Sequence, residues 1–496
     1  MRQECWRCPA HANTSLRPMA VRRWTISPNP LRSSADAQRD GLPVPQRYWA
    51  MLTLMTGLAL SCLDTAIVNV ALPTIARDLR ASPANSIWVV NAYQLAVMIS
   101  LLPFASFGDI FGYRRVYRFG LLLYTSAAVI SATAHSLEIL TLGRALQGLG
   151  AAGLMSVNTA LVRFTYPQRQ LGRGIAVISM TVSTSSAAGP SVAAAVLSVA
   201  PWPFLFAVNI PIGVITLLLA MRFLPPTAPS GHRFDLLSAV LCAVMFGSLI
   251  TGISSLGHGA AVFVVLPEFV MAGAAGFFLV RRQVGNPMPL FPVDLFRRPI
   301  FALSVTTSVL SFVAQGIAYV SIPFYFQNVI GISAVTTGLL MTPWPATAAL
   351  MAPLAGRLAD RMPAGIMAAC GLVIFGSGLL LLAFLPAGTS LSGIAWRIAV
   401  CGSGMGLFQQ PNARSIIMSA PLERTGGVGA IQGTARLLGQ SIGAAFVAMI
   451  FGFLGGTQGA KIAIFCAAGF TLVGAMTSLS RMLNGVRVSL SQTPAE

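Results

Sequence analysis

Apolar stretches of about 20 residues recur along this chain from residue 48 almost to its C-terminus. A helix needs about 20 residues to cross the hydrocarbon core of a bilayer. Only 9% of the 496 residues are charged and 55% are hydrophobic, whereas a soluble domain has about 25% charged residues. The chain is therefore predicted to be an all-α integral membrane protein.

Fourteen of these stretches are long enough to be transmembrane helices. Their glycines and prolines do not argue against helices, because neighbouring helices in a membrane satisfy the freed backbone groups. The predicted spans are 48–72, 84–107, 117–134, 137–161, 173–199, 202–221, 235–255, 261–280, 299–325, 336–355, 364–385, 389–410, 426–452 and 460–480.

An internal repeat divides these helices into two halves. The segments ASFGDIFGYRR (105–115) and GRLADRMPAGI (356–366) each join two apolar stretches, and Asp109 and Asp360 are 251 positions apart. Arg144 precedes GLGAAG, and Arg397, 253 positions later, precedes GSGMG. Two six-helix bundles with a binding site between them are typical of a rocking transporter. The predicted divisions are a disordered tail (1–46), a first six-helix bundle (47–225), a linker with two extra transmembrane helices (226–285), a second six-helix bundle (286–485) and a tail (486–496).

The distribution of arginine predicts that both termini are cytoplasmic. Arginines are frequent in the loops of one side, while the other side has little beyond Arg77, Arg80 and Lys461, and positive loops stay inside. The net charge of +19 is spread over these loops and the tail, which favours topology and anionic lipid over nucleic-acid binding. The chain has 31 arginines and one lysine, a bias that indicates a bacterial protein. We therefore expect it in the bacterial cytoplasmic membrane.

Six motifs, in order and at the expected spacing, resemble the major facilitator superfamily. They are most similar to its fourteen-helix drug:proton antiporter branch, and the similarity extends over about residues 48–485. The motifs are LDTAIVNVALP (63–73), WVVNAY (88–93), GDIFGYRR (108–115), RALQGLGAAG (144–153), AAGPSVAA (187–194) and VNIPIG (208–213). The resemblance implies a major facilitator fold, an antiporter motif at Gly189 and Pro190, and an inner gate at Gly108, Asp109, Gly112, Arg114 and Arg115.

Some positions depart from the family pattern. Ala105 and Ile110 replace a glycine and an arginine of the loop motif, so fewer ion pairs are expected at the gate. Ser185, Ala193 and Ala194 in the antiporter motif are still small enough for close helix packing. Pro363 replaces the loop glycine in the second half, and that copy of the gate is expected to be degenerate.

Asp64 is the candidate proton-coupling residue. Of the thirteen acidic residues, Glu138 and Asp235 stand at the very ends of predicted spans, and only Asp64 and Glu268 lie well inside one. Glu268 lies in an inserted helix directly after Pro267, where an interfacial position is expected. A carboxylate at membrane depth can bind and release a proton when its surroundings change, because burial disfavours its charged form and a nearby cation favours it.

Arg144 is expected to pair with Asp64. At 1.5 Å per residue, Asp64 lies about 12 Å and Arg144 about 10 Å below the outer ends of their helices. Protonation of Asp64 would then free Arg144 and provide a two-state switch. The alternative is a static ion pair that only stabilises the fold.

The gate and the antiporter motif each have two interpretations. Asp109 is expected to accept hydrogen bonds from its loop and from Arg114 or Arg115, which would lock the two halves together on the inner side when the protein faces outward. Alternatively, these arginines are topology signals alone. A bend at Gly189 and Pro190, which interrupts the helical hydrogen bonds, is expected to seal the cavity against proton leak, and a plain kink is the alternative.

Aromatic and amide side chains are predicted to line a substrate cavity, although each could instead serve packing. They are Trp88, Asn91, Tyr93, Gln94, Gln315, Tyr319, Trp344, Phe408, Gln409, Gln410 and Arg436. Aromatic walls with one carboxylate suit lipophilic cations. The expected protein is a monomeric proton-coupled antiporter that exports lipophilic, cationic drugs or biocides. It is not an enzyme, and no cofactor, metal or nucleic acid is expected. The alternative is an exporter of one physiological solute, such as a siderophore, peptide or metabolite.

Overall fold

A computed structural model describes residues 41–227, 234–257, 260–284, 293–358, 362–386, 388–419 and 425–491, and these residues form helices joined by turns without a β-strand. The predicted disordered tail lies largely outside this range. The first half contains α1 (Gln46–Asp78), α2 (Pro83–Ser86), α3 (Trp88–Phe111), α4 (Tyr113–Ala132), α5 (Leu137–Thr165), α6 (Leu171–Val199), α7 (Phe204–Ala207) and α8 (Asn209–Phe223).

Two further helices precede the second half and lie within residues 226–285. These are α9 (Leu236–Gly257) and α10 (Val262–Gln283). The second half contains α11 (Pro299–Phe324), which continues as a π-helical turn (Tyr325–Ile330), then α12 (Ala334–Met341), α13 (Pro343–Leu358), α14 (Ala364–Ala383), α15 (Leu391–Met418) and α16 (Thr425–Ser491).

Eleven helical segments among the described residues are long and apolar enough to cross a membrane. One of them is counted as a single segment, Ile431–Arg481, although the backbone of α16 leaves helical geometry at Gly455, where φ is 73°. The arginine-rich α4 and the α12–α13 pair are not among the eleven. An all-α membrane fold is thus confirmed, while the number of fourteen helices stays a prediction.

Helix α16 extends into the segment predicted as the C-terminal tail. Helix α16 continues to Ser491, so residues 486–491 are helical. The next proline is Pro494, and no proline interrupts the helix before it.

Close helix packing repeats between the two halves. A Cβ atom on Gly150 of α5 would lie 2.5 Å from the backbone N of Tyr124 on α4. A Cβ atom on Gly404 of α15 would lie 2.3 Å from the backbone N of Phe375 on α14. Both distances exclude any side chain larger than glycine without a shift of the helices. The pairs α4–α5 and α14–α15 are therefore corresponding elements of the repeat.

A buried asparagine also recurs in each half. Asn158 on α5 donates from Nδ2 to the carbonyl of Leu54 on α1, at 3.2 Å. Asn412 on α15 donates from Nδ2 to the carbonyl of Ser304 on α11, also at 3.2 Å. Each bond fixes the fourth long helix of a half to its first long helix.

Apolar packing joins the two halves at one end of the bundle. We call this end, which holds the turn between α1 and α2, the Arg80 end, and the opposite end, which holds the turn between α3 and α4, the Gly112 end. At the Arg80 end one hydrophobic cluster contains Leu72 and Ile75 of the first half together with Phe324 and Phe451 of the second. Towards the Gly112 end the buried apolar residues of the described chain divide into separate clusters, and Leu437 is the one buried residue of the second half in the first-half cluster. The halves are therefore sealed against each other at the Arg80 end.

The inserted helices α9 and α10 are held together by an ion pair. Arg282 donates from Nη2 to Asp235 Oδ1 at 3.0 Å, and Asp235 also caps α9 by accepting from the Ser238 N–H at 3.2 Å. Partial burial opposes ionisation, but hydrogen bonds from Arg282 and Ser238 hold the pKa of Asp235 below its ordinary value. The stabilisation from this pair is therefore present at neutral pH and is lost as the pH falls through the lowered pKa.

Candidate functional site

Three tyrosines hold the middle of α1 against its neighbours. The Tyr93 hydroxyl donates to the carbonyl of Ser61 at 3.2 Å, and the Tyr124 hydroxyl donates to the carbonyl of Leu60 at 3.2 Å. The Tyr117 hydroxyl donates to the carbonyl of Thr53 at 2.9 Å. The bonds to Ser61 and Leu60, from α3 and α4, fix the turn of α1 that leads into Asp64. The bond to Thr53 fixes an earlier turn of the same helix.

Asp64 is buried on α1 within a closed set of donors. Its side chain is 1% exposed, and Arg144 Nη1 on α5 contacts Asp64 Oδ2 as an ion pair. The amide Nε2 of Gln147 donates to Asp64 Oδ1 at 3.2 Å, and the amide Nδ2 of Asn209 donates to the same oxygen at 3.1 Å. Both carboxylate oxygens thus have partners, as a buried charge requires.

Arg144 has further partners besides Asp64. Its Nη1 donates to Gln147 Oε1 at 2.8 Å, and its Nε donates to the carbonyl of Val89 at 3.2 Å. Its Cζ atom lies 4.3 Å from the ring centroid of Tyr93 and 5.6 Å from that of Phe206. The guanidinium is therefore satisfied from several directions, and loss of the Asp64 charge would not leave it without contacts.

A cavity of about 240 Å³ lies between the two halves. Its wall reaches from Asn69 on α1, towards the sealed Arg80 end, to Met155 on α5 and Ala352 on α13, which lie nearer the Gly112 end. This volume is slightly below the roughly 300–1,000 Å³ typical of ligand pockets. The predicted residues that line it are Tyr93, Gln94, Gln315, Tyr319, Trp344, Gln409, Gln410 and Arg436.

Three residues predicted for the cavity are not in its wall. Trp88 and Asn91 lie closer to the Arg80 end of α3 than Gln94 does, where the halves are packed together. Asn91 is 1% exposed, and Phe408 is also 1% exposed, with its backbone against Gly371 of α14. Positions 405 and 409 of the same helix do line the cavity. At 100° per residue, Phe408 lies off that face.

Asp64 is not among the described residues that line the cavity, although its neighbours Cys62, Thr65 and Ala66 are. Tyr93 connects the two sites, because it lines the cavity and its ring also lies against the Arg144 guanidinium. The ion pair is thus behind the cavity wall and separated from the cavity by an aromatic ring. The predicted cationic cargo depends on aromatic walls and one carboxylate. The described wall contains the aromatic residues Tyr93, Tyr319 and Trp344 but no aspartate or glutamate.

The predicted gate residues make contacts within the first half. Gly112, with φ of 94°, allows the turn between α3 and α4, and a Cβ atom on Gly108 would lie 2.6 Å from the Tyr113 ring. The Tyr113 hydroxyl donates to Asp109 Oδ1. Arg114 donates from Nη2 to the carbonyl of Met221 at 2.6 Å.

That contact of Arg114 satisfies a free carbonyl at the C-terminal end of α8, a favourable position for a cation. Among the described residues, Arg115 forms no hydrogen bond or ion pair with the second half. Asp360, the repeat counterpart of Asp109, lies outside the described residues. The predicted lock between the halves at the Gly112 end is therefore not formed by Arg114 in this conformation.

The antiporter motif lies where the two halves meet. A Cβ atom on Gly189 would be 2.4 Å from Ala66 Cβ of α1. A Cβ atom on Gly338 of α12 would be 2.6 Å from the carbonyl oxygen of Pro190. The hydroxyl groups of Ser191 and Thr342 are 2.8 Å apart. Small residues at this segment thus allow α6 to contact both α1 and the second half.

Two other arginines have different surroundings. Arg436 of α16 lines the cavity. Arg397 of α15 donates from Nη1 to the carbonyl of Gly393 at 2.6 Å, and its Cζ atom lies 4.6 Å from the Trp396 ring centroid. Arg397 therefore contacts residues of its own helix, although it is the repeat counterpart of Arg144.

Sequence reasoning missed Gln147, Asn209 and Gln327. Gln147 follows Arg144 by three positions on one helix, and this spacing places the two side chains on the same face. Asn209 lies in the VNIPIG motif. Gln327 bridges the halves, since its Nε2 donates to the carbonyl of Val70 at 2.9 Å and its Oε1 accepts from Thr74 Oγ1 at 3.1 Å. No local pattern marked Gln327, because its partners are more than 250 positions away.

Curated relatives of this chain are transporters. It is 53% identical over 443 residues to the uncharacterized transporter YebQ of Escherichia coli, covering 89% of this chain and 97% of that protein. It is 30% identical over 409 residues to the multidrug resistance protein Stp of Mycobacterium tuberculosis, covering 81% and 75%. It is 27% identical over 408 residues to the riboflavin transporter RibZ of Clostridioides difficile, covering 82% and 88%.

Solved transporters share its fold. The POT family transporter PepTSo superposes with a TM-score of 0.67 at 13% identity, covering 90% of this chain and 99% of that chain. The family model described as Major Facilitator Superfamily matches residues 54–444, which is most of the chain. The chain is a membrane transporter and belongs to the major facilitator superfamily.

Proposed function

We propose that this protein is a proton-coupled exporter of small drug-like solutes that functions as a monomer in the bacterial cytoplasmic membrane. The observation that carries the proposal is the buried Asp64–Arg144 pair, which lies directly behind a cavity between two halves that are sealed at one end. A single protonatable group at that position can respond to the arrangement of the halves.

The distribution of arginines between the two ends of the bundle supports one orientation of the protein in the membrane. Arg114, Arg163 and Arg298 lie at the Gly112 end, whereas the Arg80 end has few cationic residues. The positive-inside rule then assigns the Gly112 end to the cytoplasm. In this orientation the described conformation is sealed towards the outside, and its cavity extends towards the cytoplasm, from which an exporter takes its cargo.

The proposed coupling depends on the cost of separating buried charges. Breaking a buried ion pair by removing one partner costs about 3–5 kcal/mol, so ionised Asp64 keeps α1 and α5 together. A proton from the outside neutralises Asp64 once the protein opens to that side, and α1 then moves relative to α5 at lower cost. Arg144 retains Gln147, the Val89 carbonyl and the Tyr93 ring. Release of the proton to the cytoplasm restores the pair and resets the transporter.

The test is transport by Asp64→Asn in inside-out membrane vesicles. Asparagine has the same shape and can still accept from Gln147 and Asn209, so we expect it to fold. Wild-type vesicles should accumulate a panel of dyes, biocides and antibiotics when a pH gradient is imposed. The variant should exchange labelled for unlabelled compound, yet lose gradient-driven accumulation by about a hundredfold. Normal gradient-driven accumulation in Asp64→Asn would contradict the proposal.

The same panel separates a multidrug exporter from an exporter of one physiological solute. The relatives include proteins named for multidrug resistance and one named for riboflavin, so both ranges occur among similar chains. Accumulation of several unrelated compounds supports the first function. Accumulation of none of the drugs, together with transport of one metabolite from a cell extract, supports the second.

A further inference from the structure

The charge of the cavity wall differs from what an exporter of cations needs. Arg436 is the one charged side chain among the described residues that line the cavity, and no described aspartate or glutamate lines it. Asp64 is 1% exposed and already holds Arg144. A cationic solute in this space would therefore meet a like charge and no opposite one.

Two glutamine amides of the wall present donors to the cavity. The side-chain oxygen of Gln94 accepts from Ser441 Oγ at 3.3 Å, and that of Gln315 accepts from Gln440 Nε2 at 3.0 Å. These bonds leave the NH₂ groups of Gln94 and Gln315 to serve a solute. The indole Nε1 of Trp344, another wall residue, has no acceptor among the described residues.

An aromatic surface lies beside these donors. The rings of Tyr319 and Trp344 meet edge to face with centroids 5.0 Å apart, and Trp344 meets Phe375 in the same way at 5.2 Å. Tyr93 forms another part of the wall. The partly buried Tyr319 ring provides apolar area for a flat solute, with the buried Trp344 and Phe375 rings behind it, and the glutamine amides and Arg436 provide partners for its acidic and carbonyl oxygens.

We propose that the cavity selects flat aromatic anions, with a carboxylate or similar acidic group bound to Arg436 and carbonyl oxygens bound to the glutamine amides. The proposal rests on the proposed function in one respect, namely that this cavity is the cargo site. Arg436 is partly buried and pairs with no carboxylate in the described part of the chain. Such a charge is costly, and an anionic solute would supply the opposite one. An anionic solute also fits the position of Asp64 behind the wall. There Arg144 neutralises the Asp64 charge, so that Asp64 does not repel an anion in the cavity.

The test is equilibrium binding of two dyes with the same ring system and opposite charge. Fluorescein is the anion and rhodamine 123 is the cation, and binding is measured by fluorescence polarisation to purified protein in lipid nanodiscs without any gradient. Wild type should bind fluorescein at least about tenfold more tightly than rhodamine 123. Arg436→Gln should lose about tenfold in fluorescein affinity, the size of one charge-assisted contact, and Arg436→Lys should lose less. Arg436→Glu should reverse the preference.

Arg397→Gln is the matched control, since this arginine also lies in a helix of the second half but is not among the described residues that line the cavity. It should leave both affinities unchanged. Tighter binding of rhodamine 123 than of fluorescein to wild type, or an unchanged fluorescein affinity in Arg436→Gln, would overturn the proposal, and so would an absence of fluorescein binding to wild type. Because binding needs no gradient, these results are independent of whether Asp64→Asn abolishes proton coupling.

Discussion

At the scale of single residues, the contact between Asp64 and Arg144 could be expected from the sequence. Both lie within apolar spans at similar depth, and neither has another opposite charge nearby along its helix. The sequence could not show that the pair faces away from the cavity, because depth along a helix does not specify which neighbours surround it. That direction depends on α3, whose Tyr93 lies between Arg144 and the cavity.

Tyr93 should transmit the state of the cavity to the ion pair. Its ring is 4.3 Å from the Arg144 guanidinium, a contact worth about 2 kcal/mol when desolvated, and its hydroxyl holds α1. We expect Tyr93→Ala to lower the amount of cargo exported per proton by several-fold. Proton and cargo fluxes measured together in proteoliposomes provide this ratio.

Tyr93→Phe is the control for that substitution, because it keeps the ring over Arg144 and loses only the bond to the Ser61 carbonyl. It should retain a ratio within about twofold of wild type. An unchanged ratio in Tyr93→Ala would show that the ring does not link cavity and ion pair.

At the scale of secondary structure, the apolar spans predicted the long helices well, since length and hydropathy alone specify them. The breaks within spans were not predicted. The boundaries between α2 and α3 and between α12 and α13 fall inside single apolar stretches, where composition does not change. Contacts between the halves at these places, such as that of Gly338 with Pro190, depend on the tertiary structure.

The glycine contact between α4 and α5 should be a strong determinant of stability. A Cβ atom at Gly150 would lie 2.5 Å from backbone atoms of Tyr124 and 2.7 Å from the Gly120 carbonyl. Gly150→Ala should therefore destabilise the protein by about 1–3 kcal/mol, the usual cost of overpacking. Thermal unfolding of the purified protein, followed by loss of monodisperse material, measures the effect.

Gly247→Ala on α9 provides the comparison, because a Cβ atom there would meet nothing within 4 Å. That variant should unfold at the wild-type temperature or slightly above it, since alanine favours helix. Equal unfolding temperatures for the two variants would show that close approach of α4 and α5 is not required.

At the scale of the whole molecule, the repeat at intervals of about 250 residues predicted two similar halves, and the corresponding glycine and asparagine contacts agree with it. The sequence could not indicate which end is sealed. A transporter of this kind uses one sequence for more than one conformation, and only the packing in a given structure, here Leu72 and Ile75 against Phe324 and Phe451, identifies the closed end.

A crosslink across the halves should stop transport. The Ser191 and Thr342 hydroxyls are 2.8 Å apart, so cysteines at these positions should form a disulfide in a variant whose seven native cysteines are replaced. Oxidation of the S191C/T342C variant should reduce export by at least about tenfold, because the Arg80 end cannot open. Reduction should restore it, and the S191C single variant should not respond. Unchanged export by fully crosslinked protein would exclude an opening between α6 and α12.

If Asp64 exchanges protons in step with cargo, cargo alone should drive proton movement. Proteoliposomes containing a pH-sensitive dye are given a gradient of a compound that the wild-type protein exports. We expect proton flux opposite to the cargo in wild type, and cargo flux without proton flux in Asp64→Asn. Protons that move with cargo at the wild-type ratio in Asp64→Asn would contradict this expectation.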